Sequence, residues 1–183
     1  MLDSIKKKYH FKRYSMIKEM IGNKNGSLLD IGCGAPSDCM EDGAFLSFIG
    51  YGTGIDIICR EIDFPFKIGS AEKIPFPDKS FDIITLLEVI EHVKEPNIVF
   101  KEIYRVLKDG GILIMSTPNN HLVFKCFWWI WEHFFDNMWK DEHISSYTQK
   151  KWIEIINSTG LFEVQAVKSY LKLNSMFKLK KKV

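Results

Sequence analysis

The stretch LLDIGCG at residues 28–34 decides the fold of this 183-residue chain. It begins as a short buried strand and ends in a turn, where Gly32 and Gly34 allow the backbone to approach a ligand closely. Farther along the chain, Asp56 ends a second strand pattern, GIDI at residues 54–57. A glycine turn followed by an acid at the tip of the next strand is typical of an adenosine site at the carboxyl edge of a parallel sheet.

The rest of the chain alternates between helix and strand patterns. We predict helices over 4–21, from Ser37 or Asp38 to about Phe48, over 96–107 and from Thr148 to about Ser158, with strands over 66–69, 81–87, 112–116 and 162–167. This alternation predicts an α/β fold, with a doubly wound, mostly parallel sheet of six or seven strands and helices on both faces. We expect one domain over residues 1–183. Residues 176–182 either supply a short last antiparallel strand or leave it missing.

Composition excludes several classes of protein. The chain is 46% hydrophobic and 26% charged, with a formal net charge of +2, so overall charge does not argue for nucleic-acid binding. The four cysteines contain no CxxC pair, so a structural zinc site is not expected. No run of about 20 apolar residues is present, and the N-terminus has no apolar signal-peptide core. We expect a cytoplasmic protein, with membrane association as the alternative.

Basic residues crowd both ends of the chain. We interpret both clusters as solvated ends, and the alternative is contact with an anionic membrane or substrate. The clusters consist of Lys6, Lys7, Lys8, Lys12 and Arg13 at the start, and of Lys178, Lys180, Lys181 and Lys182 at the end.

The residues around the first turn indicate which adenosine cofactor to expect. A dinucleotide site uses a third glycine, so that a helix N-terminus can meet the pyrophosphate, but Ala35 and Pro36 stand there. The carboxylate of Asp30 would repel pyrophosphate and attract the ammonium group of an amino-acid tail. The turn therefore favours S-adenosylmethionine over NAD.

A series of further motifs carries a family resemblance. The order LLDIGCG, GIDI, SAEKIPFPDKSFDII (70–84), EVIEHV (88–93) and RVLKDGG (105–111) resembles the class I S-adenosylmethionine-dependent methyltransferases of the small-molecule "type 11" group. The resemblance covers roughly residues 27–118 and implies a Rossmann-like fold.

The resemblance also implies roles for individual positions. It places the methionine part of the cofactor at Asp30, Gly32 and Gly34, the ribose at Asp56, the adenine at Ile57, Ser70, Ala71 and Glu72, and the sulfonium side at Leu87 and Glu88. Two positions depart from the family pattern. Ser70 replaces an acid beside the adenine amino group, and Pro36 replaces a third glycine.

The acceptor side has three alternative interpretations. If residues 88–92 begin a helix, Glu88, Glu91 and His92 share one face. The cluster is then a plain helix start, a histidine base oriented by a carboxylate, or a divalent metal site. The same Glu-x-x-Glu-His pattern occurs in ubiquinone-pathway O-methyltransferases and in small-RNA 2′-O-methyltransferases. In the RNA enzymes it binds magnesium with a further histidine, for which His143 is the candidate here and His121 its rival. The candidate catalytic residues are His92, Glu88 and His143, and Mg²⁺ is a candidate cofactor.

Residues 121–140 form an aromatic insert that contains four of the five tryptophans. We predict a lid over the pocket or, alternatively, a membrane-facing segment that admits an apolar or lipid-like acceptor.

The predicted function is methyl transfer from S-adenosylmethionine to a small-molecule acceptor, with oxygen preferred over nitrogen or carbon as the methylated atom. The alternatives are an RNA ribose 2′-O-methyltransferase, a non-catalytic cofactor-binding scaffold and a nicotinamide dehydrogenase.

Overall fold

The computed structural model describes residues 2–35, 40–119 and 147–183. These residues form one seven-stranded sheet with helices on both faces. The helices are α1 (Leu2–Ile21), α2 (Ala44–Ile49), α3 (Pro96–Val106) and α4 (Gln149–Thr159). The strands are β1 (Leu28–Ile31), β2 (Thr53–Asp56), β3 (Phe66–Ile68), β4 (Phe81–Leu87), β5 (Leu107–Pro118), β6 (Phe162–Tyr170) and β7 (Asn174–Lys181).

The strand order is β3-β2-β1-β4-β5-β7-β6. Neighbouring strands from β3 to β5 pair in parallel, whereas β7 runs antiparallel to both β5 and β6. The order reverses at β1. From β1 the chain adds β2 and β3 on one side of the sheet, and it then adds β4 and the later strands on the other side. This topology confirms the predicted α/β, mostly parallel, doubly wound fold. In such a sheet, ligands bind outside the carboxyl ends of the strands at the reversal.

The sheet buries one apolar layer on each face. On one face α1 and α2 pack over alternate strand residues such as Leu28, Ile83 and Ile114. On the other face α3 and α4 cover Leu29, Ile84 and the neighbouring residues. The continuous apolar pattern of β4 follows from this arrangement, because a central strand covered on both faces exposes neither set of side chains.

Two predicted boundaries are wrong, and the condition set on residues 88–92 is not met. Helix α2 begins only at Ala44, after a left-handed Gly43, rather than at Ser37 or Asp38, both of which lie outside the described residues. Strand β5 begins at Leu107, so the DGG at 109–111 lies within the strand rather than ahead of it. Residues 88–92 do not begin a helix, because only a 3-10 turn forms over Ile90–His92.

The last antiparallel strand, which the sequence left open, is present as β7. Its lysines obscure an alternating pattern in which Phe177, Leu179 and Lys181 are buried on one face. The Lys181 ammonium donates to the carbonyl of Leu107 at 2.6 Å and lies over the Tyr104 ring. Its burial corrects the interpretation of the basic C-terminal run as fully solvated.

Candidate functional site

One cavity of about 1020 Å³ opens at the carboxyl edge of β1, β2 and β4. The predicted cofactor and acceptor residues that are described here lie in its wall: Asp30, Gly32, Gly34, Asp56, Ile57, Ser70, Ala71, Glu72, Leu87, Glu88, Glu91 and His92. His121, His143 and the whole aromatic insert lie outside the described residues, and so does Pro36. The sheet thus brings together residues that are up to 62 positions apart in the chain, from Asp30 to His92.

The glycine turn after β1 has no room for a side chain. Gly32 adopts a left-handed φ of 74°, and a Cβ atom there would collide with Cγ2 of Val89. A Cβ atom at Gly34 would lie 3.0 Å from a carboxylate oxygen of Asp56 and 2.9 Å from the Arg60 guanidinium. The turn therefore requires glycine for close packing as well as for backbone conformation.

Asp56 ends β2 with its carboxylate held by backbone donors. Its Oδ2 accepts from the Gly34 amide at 3.1 Å, and its Oδ1 accepts from the Ile58 amide at 3.0 Å. The Arg60 Nε lies 3.5 Å from the same Oδ2. Beside this carboxylate, Ile57 is 72% exposed, an unusual exposure for isoleucine. A fixed acid next to an uncovered apolar side chain suits a ligand with hydroxyls and a flat apolar ring.

The loop after β3 explains how Ser70 departs from the family pattern. Its hydroxyl accepts a hydrogen bond from the Glu72 amide at 3.1 Å and so closes a turn, while Ala71 is buried beneath it. The side chain at this position therefore shapes the loop locally.

Asp30 lies buried beneath the glycine turn. The Thr85 hydroxyl donates to its Oδ1 at 2.6 Å. Burial raises the pKa of Asp30 to about 7, with a smaller contribution from the nearby Asp56 charge. Near neutral pH this carboxyl therefore stands between its neutral and ionised forms, and a bound cation would favour ionisation.

We expect Asp30 to lower the stability of the protein as pH rises. Its pKa is raised in the folded state, so folding takes up a proton between pH 4 and 7 and the free energy of unfolding falls across that window. Asp30→Asn keeps an acceptor for Thr85 and removes the titration. Relative to wild type, the variant should gain about 3 kcal/mol between pH 5 and pH 8. Urea unfolding at both pH values measures this gain, with the exposed Asp63→Asn as control. Parallel pH dependence in wild type and Asp30→Asn would contradict it.

Glu88 follows β4 in a left-handed conformation with φ of 58°, which is rare for a residue with a side chain. Its amide donates to the carbonyl of Ser116 on β5 at 3.0 Å. Its Oε1 accepts from Nη2 of Arg13 at 2.6 Å and from the Ser116 hydroxyl at 2.7 Å. The strained backbone is thus held in place by a partly buried ion pair that joins α1 to the sheet.

Arg13 departs from the interpretation of the basic N-terminal cluster as solvated, because it is only 4% exposed, whereas Lys7, Lys8 and Lys12 are exposed. Sequence reasoning placed this residue with the lysines and missed it as part of the site. A signal was present in the sequence. Tyr9, Arg13 and Ile17 follow one another at intervals of four residues, so Arg13 lies on the same face of the helix as Tyr9 and Ile17.

Helix α1 supplies further parts of the cavity wall that the sequence did not indicate, namely Tyr9, His10 and Tyr14. Burial raises the pKa of Tyr9 to about 12. Burial also lowers the pKa of His10 to about 4, and Arg13 adds to this effect. His10 is therefore neutral at physiological pH, and Arg13 is the buried cation of this wall.

The predicted metal cluster is not assembled within the described residues. They contain no group of three His, Cys, Asp or Glu side chains with the geometry of a metal site. Glu88 is bound to Arg13, and His92 lies exposed at the mouth of the cavity. Glu91 is buried, and burial together with the Glu88 charge raises its pKa well above the usual range. Burial and the Glu88 charge thus disfavour the ionised form of Glu91, which weakens it as a ligand for a cation.

The cavity fits S-adenosylmethionine. Gly32 and Gly34 line the cavity without side chains, so a ligand can approach their backbone closely. Asp56 offers carboxylate oxygens for ribose hydroxyls, and Ile57 offers an apolar surface for the adenine. Asp30 would hold the ammonium group of the amino-acid tail, and a cavity of about 1020 Å³ can contain a ligand of this size.

Comparison with known proteins identifies the family of this chain. The profile of the methyltransferase domain family matches residues 9–166. The ubiquinone biosynthesis O-methyltransferase of Pseudomonas entomophila is 31% identical over 125 residues, which cover 60% of this chain and 51% of that protein. The mitochondrial ubiquinone biosynthesis O-methyltransferase of Candida albicans is also 31% identical, over 57% of this chain and 36% of that protein. The chain thus spans about half the length of the Pseudomonas protein and 36% of the length of the Candida protein.

A solved structure supports the fold. A methyltransferase from Methanosarcina mazei superposes with a TM-score of 0.64 at 22% identity, covering 87% of this chain and 93% of that one. The family match extends over most of the chain, from α1 into β6. The chain therefore belongs to the methyltransferase domain family and has the Rossmann-like class I fold of S-adenosylmethionine-dependent methyltransferases.

Proposed function

We propose that this protein transfers the methyl group of S-adenosylmethionine to an oxygen atom of a small hydroxylated acceptor. The observation that carries the proposal is the placement of Glu88 and His92 in the same cavity as Asp30, Gly32, Gly34 and Asp56. In this proposal Glu88 and His92 face the acceptor, and the other four residues hold the methyl donor. The oxygen preference follows the similarity to O-methyltransferases.

When bound, S-adenosylmethionine supplies an electrophilic methyl group on a sulfonium. The protein contributes mainly by holding the acceptor oxygen in line with that methyl group, and such positioning can be worth roughly 7–11 kcal/mol. Both hydrogen bonds to Glu88 end on Oε1. We infer that Oε2 accepts a hydrogen bond from the acceptor hydroxyl and orients it. The exposed imidazole of His92 lines the same cavity and can take up the proton that the hydroxyl loses.

The donor site is tested by isothermal titration with S-adenosylmethionine and S-adenosylhomocysteine, and by competition with NAD. We expect both sulfur nucleosides to bind in the micromolar range and NAD not to displace them. Binding of NAD alone would support the dehydrogenase alternative. Failure of every nucleoside to bind would support the scaffold alternative.

Methyl transfer itself is tested with catechol as a minimal acceptor with two adjacent hydroxyls. Mass spectrometry should detect a singly methylated product in wild type. The Glu88→Gln and His92→Asn variants should form it at least about tenfold more slowly. A short RNA with a free 3′ end is the contrasting acceptor. Methylation of the RNA and not of catechol would replace the small-molecule proposal with the ribose alternative.

We infer that Arg13, rather than a divalent cation, neutralises Glu88. The ion pair is 2.6 Å long, and a second cation beside Glu88 would be repelled by the permanently charged guanidinium. Magnesium and EDTA are therefore expected to leave nucleoside affinity and catechol methylation unchanged. If EDTA lowers nucleoside affinity or catechol methylation and magnesium restores it, the result would instead support a metal site. Its predicted ligands are Glu88, Glu91, His92 and His143.

A lipid-like acceptor and contact with a membrane surface remain predictions from the aromatic insert and the basic ends. No helix in the described ranges is long and apolar enough to cross a membrane. Flotation with anionic liposomes tests surface binding directly, and protein that stays at the bottom of the gradient would contradict it.

A further inference from the structure

Arg60 lies across the part of the cavity that the proposed function assigns to the ribose. Its Nε is 3.5 Å from Oδ2 of Asp56, and its Nη1 is 3.4 Å from Oδ1 of Asp42. A Cβ atom added at Gly34 would lie only 2.9 Å from both Cζ and Nη2 of Arg60. The guanidinium therefore fills the space that the missing side chain of Gly34 leaves beside the glycine turn.

The carboxylate of Asp56 cannot serve Arg60 and a ribose fully at the same time. A carboxylate offers about four lone-pair positions. The amide of Gly34 takes one of them on Oδ2, and the amide of Ile58 takes one on Oδ1. Arg60 stands beside Oδ2, where one of the remaining positions lies. A ribose that binds through both hydroxyls needs both remaining positions, so it must displace the guanidinium.

The loop that carries Arg60 can move without disturbing the core. Residues 57–65 join β2 to β3 and contain neither a helix nor a strand. Just ahead of Arg60, Ile57 and Ile58 are 72% and 57% exposed, and Cys59 is exposed as well. A segment with so few buried contacts rearranges at a low cost in free energy.

Asp42 gives the displaced guanidinium a second partner. Its Oδ1 accepts a hydrogen bond from the amide of Ala35 at 2.7 Å, and the same oxygen contacts Nη1 of Arg60. Arg60 can therefore leave Asp56 and keep one ionic contact. The contact with Asp56 is long for a charged pair, and the Arg60 side chain is 26% exposed, so the pair is weak. A weak pair of this kind can be displaced by a ligand.

We propose that Arg60 competes with the methyl donor for Asp56 and thereby sets the affinity of the cavity for the nucleoside. The inference rests on the proposed function and adds to it a residue that opposes donor binding. Only molecules in which Arg60 has left Asp56 can bind the ribose, so the apparent affinity is reduced in proportion to their fraction. The demethylated product carries the same ribose, so it meets the same competition.

Isothermal titration with S-adenosylhomocysteine compares wild type with Arg60→Gln, which removes the charge and keeps a polar side chain. We expect the variant to bind the nucleoside about two- to fivefold more tightly, because the pair that it removes is long and partly exposed. A merely structural role of Arg60 predicts the opposite sign, since a disturbed loop would weaken binding. Lys150→Gln, at an exposed position on α4, is the matched control for loss of one positive charge and should leave the affinity unchanged.

Ionic strength provides a second readout. Salt screens the attraction between Arg60 and Asp56, so raising potassium chloride from about 0.05 M to about 0.5 M should release the guanidinium in wild type. The advantage of Arg60→Gln over wild type should therefore shrink as salt rises. Salt also acts on the other charged contacts of the nucleoside, but it does so equally in both proteins.

Equal or weaker binding by a folded Arg60→Gln would overturn the competition, and weaker binding would make Arg60 a contact of the bound nucleoside. In either case wild type still binds, so the methyltransferase proposal stands. Thermal unfolding reports whether the variant is folded. If it is not, Arg60→Met, which also removes the charge and keeps a long side chain, carries the same measurement. If neither wild type nor the variants bind S-adenosylhomocysteine, the proposed function fails first and the Arg60 proposal falls with it.

Discussion

Asp56→Asn is expected to weaken the binding of S-adenosylhomocysteine by at least about 100-fold, or about 3 kcal/mol. The carboxylate is fixed by the amides of Gly34 and Ile58 and is only 8% exposed. Ribose hydroxyls would therefore meet a charged acceptor that needs no reorganisation. An amide keeps the shape of the side chain, but it removes the charge and turns one acceptor into a donor that faces the Gly34 N–H.

Isothermal titration measures this effect, with Asp63→Asn as a control for loss of one negative charge at an exposed position. Thermal unfolding without ligand reports whether the variant is folded. An affinity within about fivefold of wild type, in a folded variant, would show that the ribose does not bind at Asp56.

Gly32→Ala should be the most destabilising single-methyl change at the site. Two costs add at this position. The left-handed backbone costs roughly 1–2 kcal/mol for a residue with a Cβ atom, and the collision with Val89 adds roughly 1–3 kcal/mol. We expect the free energy of unfolding to fall by about 2–5 kcal/mol. S-adenosylhomocysteine binding should be lost as well, because the turn is displaced from the cavity wall.

Gly110→Ala is the matched control for the backbone cost. Gly110 has nearly the same φ, 72° against 74°, but a Cβ atom there would meet nothing within 4 Å. Urea unfolding of the two variants therefore separates the collision from the backbone cost. Adding Val89→Ala to Gly32→Ala should restore part of the lost stability. Equal destabilisation of the two glycine variants would contradict the collision with Val89.

The fold could be predicted from the sequence because local patterns determine it. Strand β4 is an apolar run, the glycine turn ends β1, and Thr148 caps α4 through the Lys151 amide. Each of these signals acts between residues that are close in the chain, so reading the chain in order recovers them. The order of the motifs in turn places Asp30, Gly32, Gly34 and Asp56 at one edge of the sheet.

One physical cause explains both the wrong start of β5 and the presence of β7, which the sequence left open. Strand β5 includes the DGG segment because pairing continues down to Phe81 opposite Leu107, past a shift in register. Strand β7 forms although lysines fill its sequence, because its position between β5 and β6 satisfies both of its edges. Tertiary hydrogen bonding thus overrode local propensity in both places.

By itself the sequence determined the strand–helix order, the donor site at the carboxyl edge and the presence of the Glu88–His92 segment in that site. Only the tertiary structure decided which partners and which surroundings the side chains of this segment have. It brings Arg13 to Glu88 across 75 residues of chain, and it buries Glu91, which raises the pKa of that carboxyl. Ion pairing and desolvation depend on which groups meet in space and how much water they lose, and neither quantity is local in the chain.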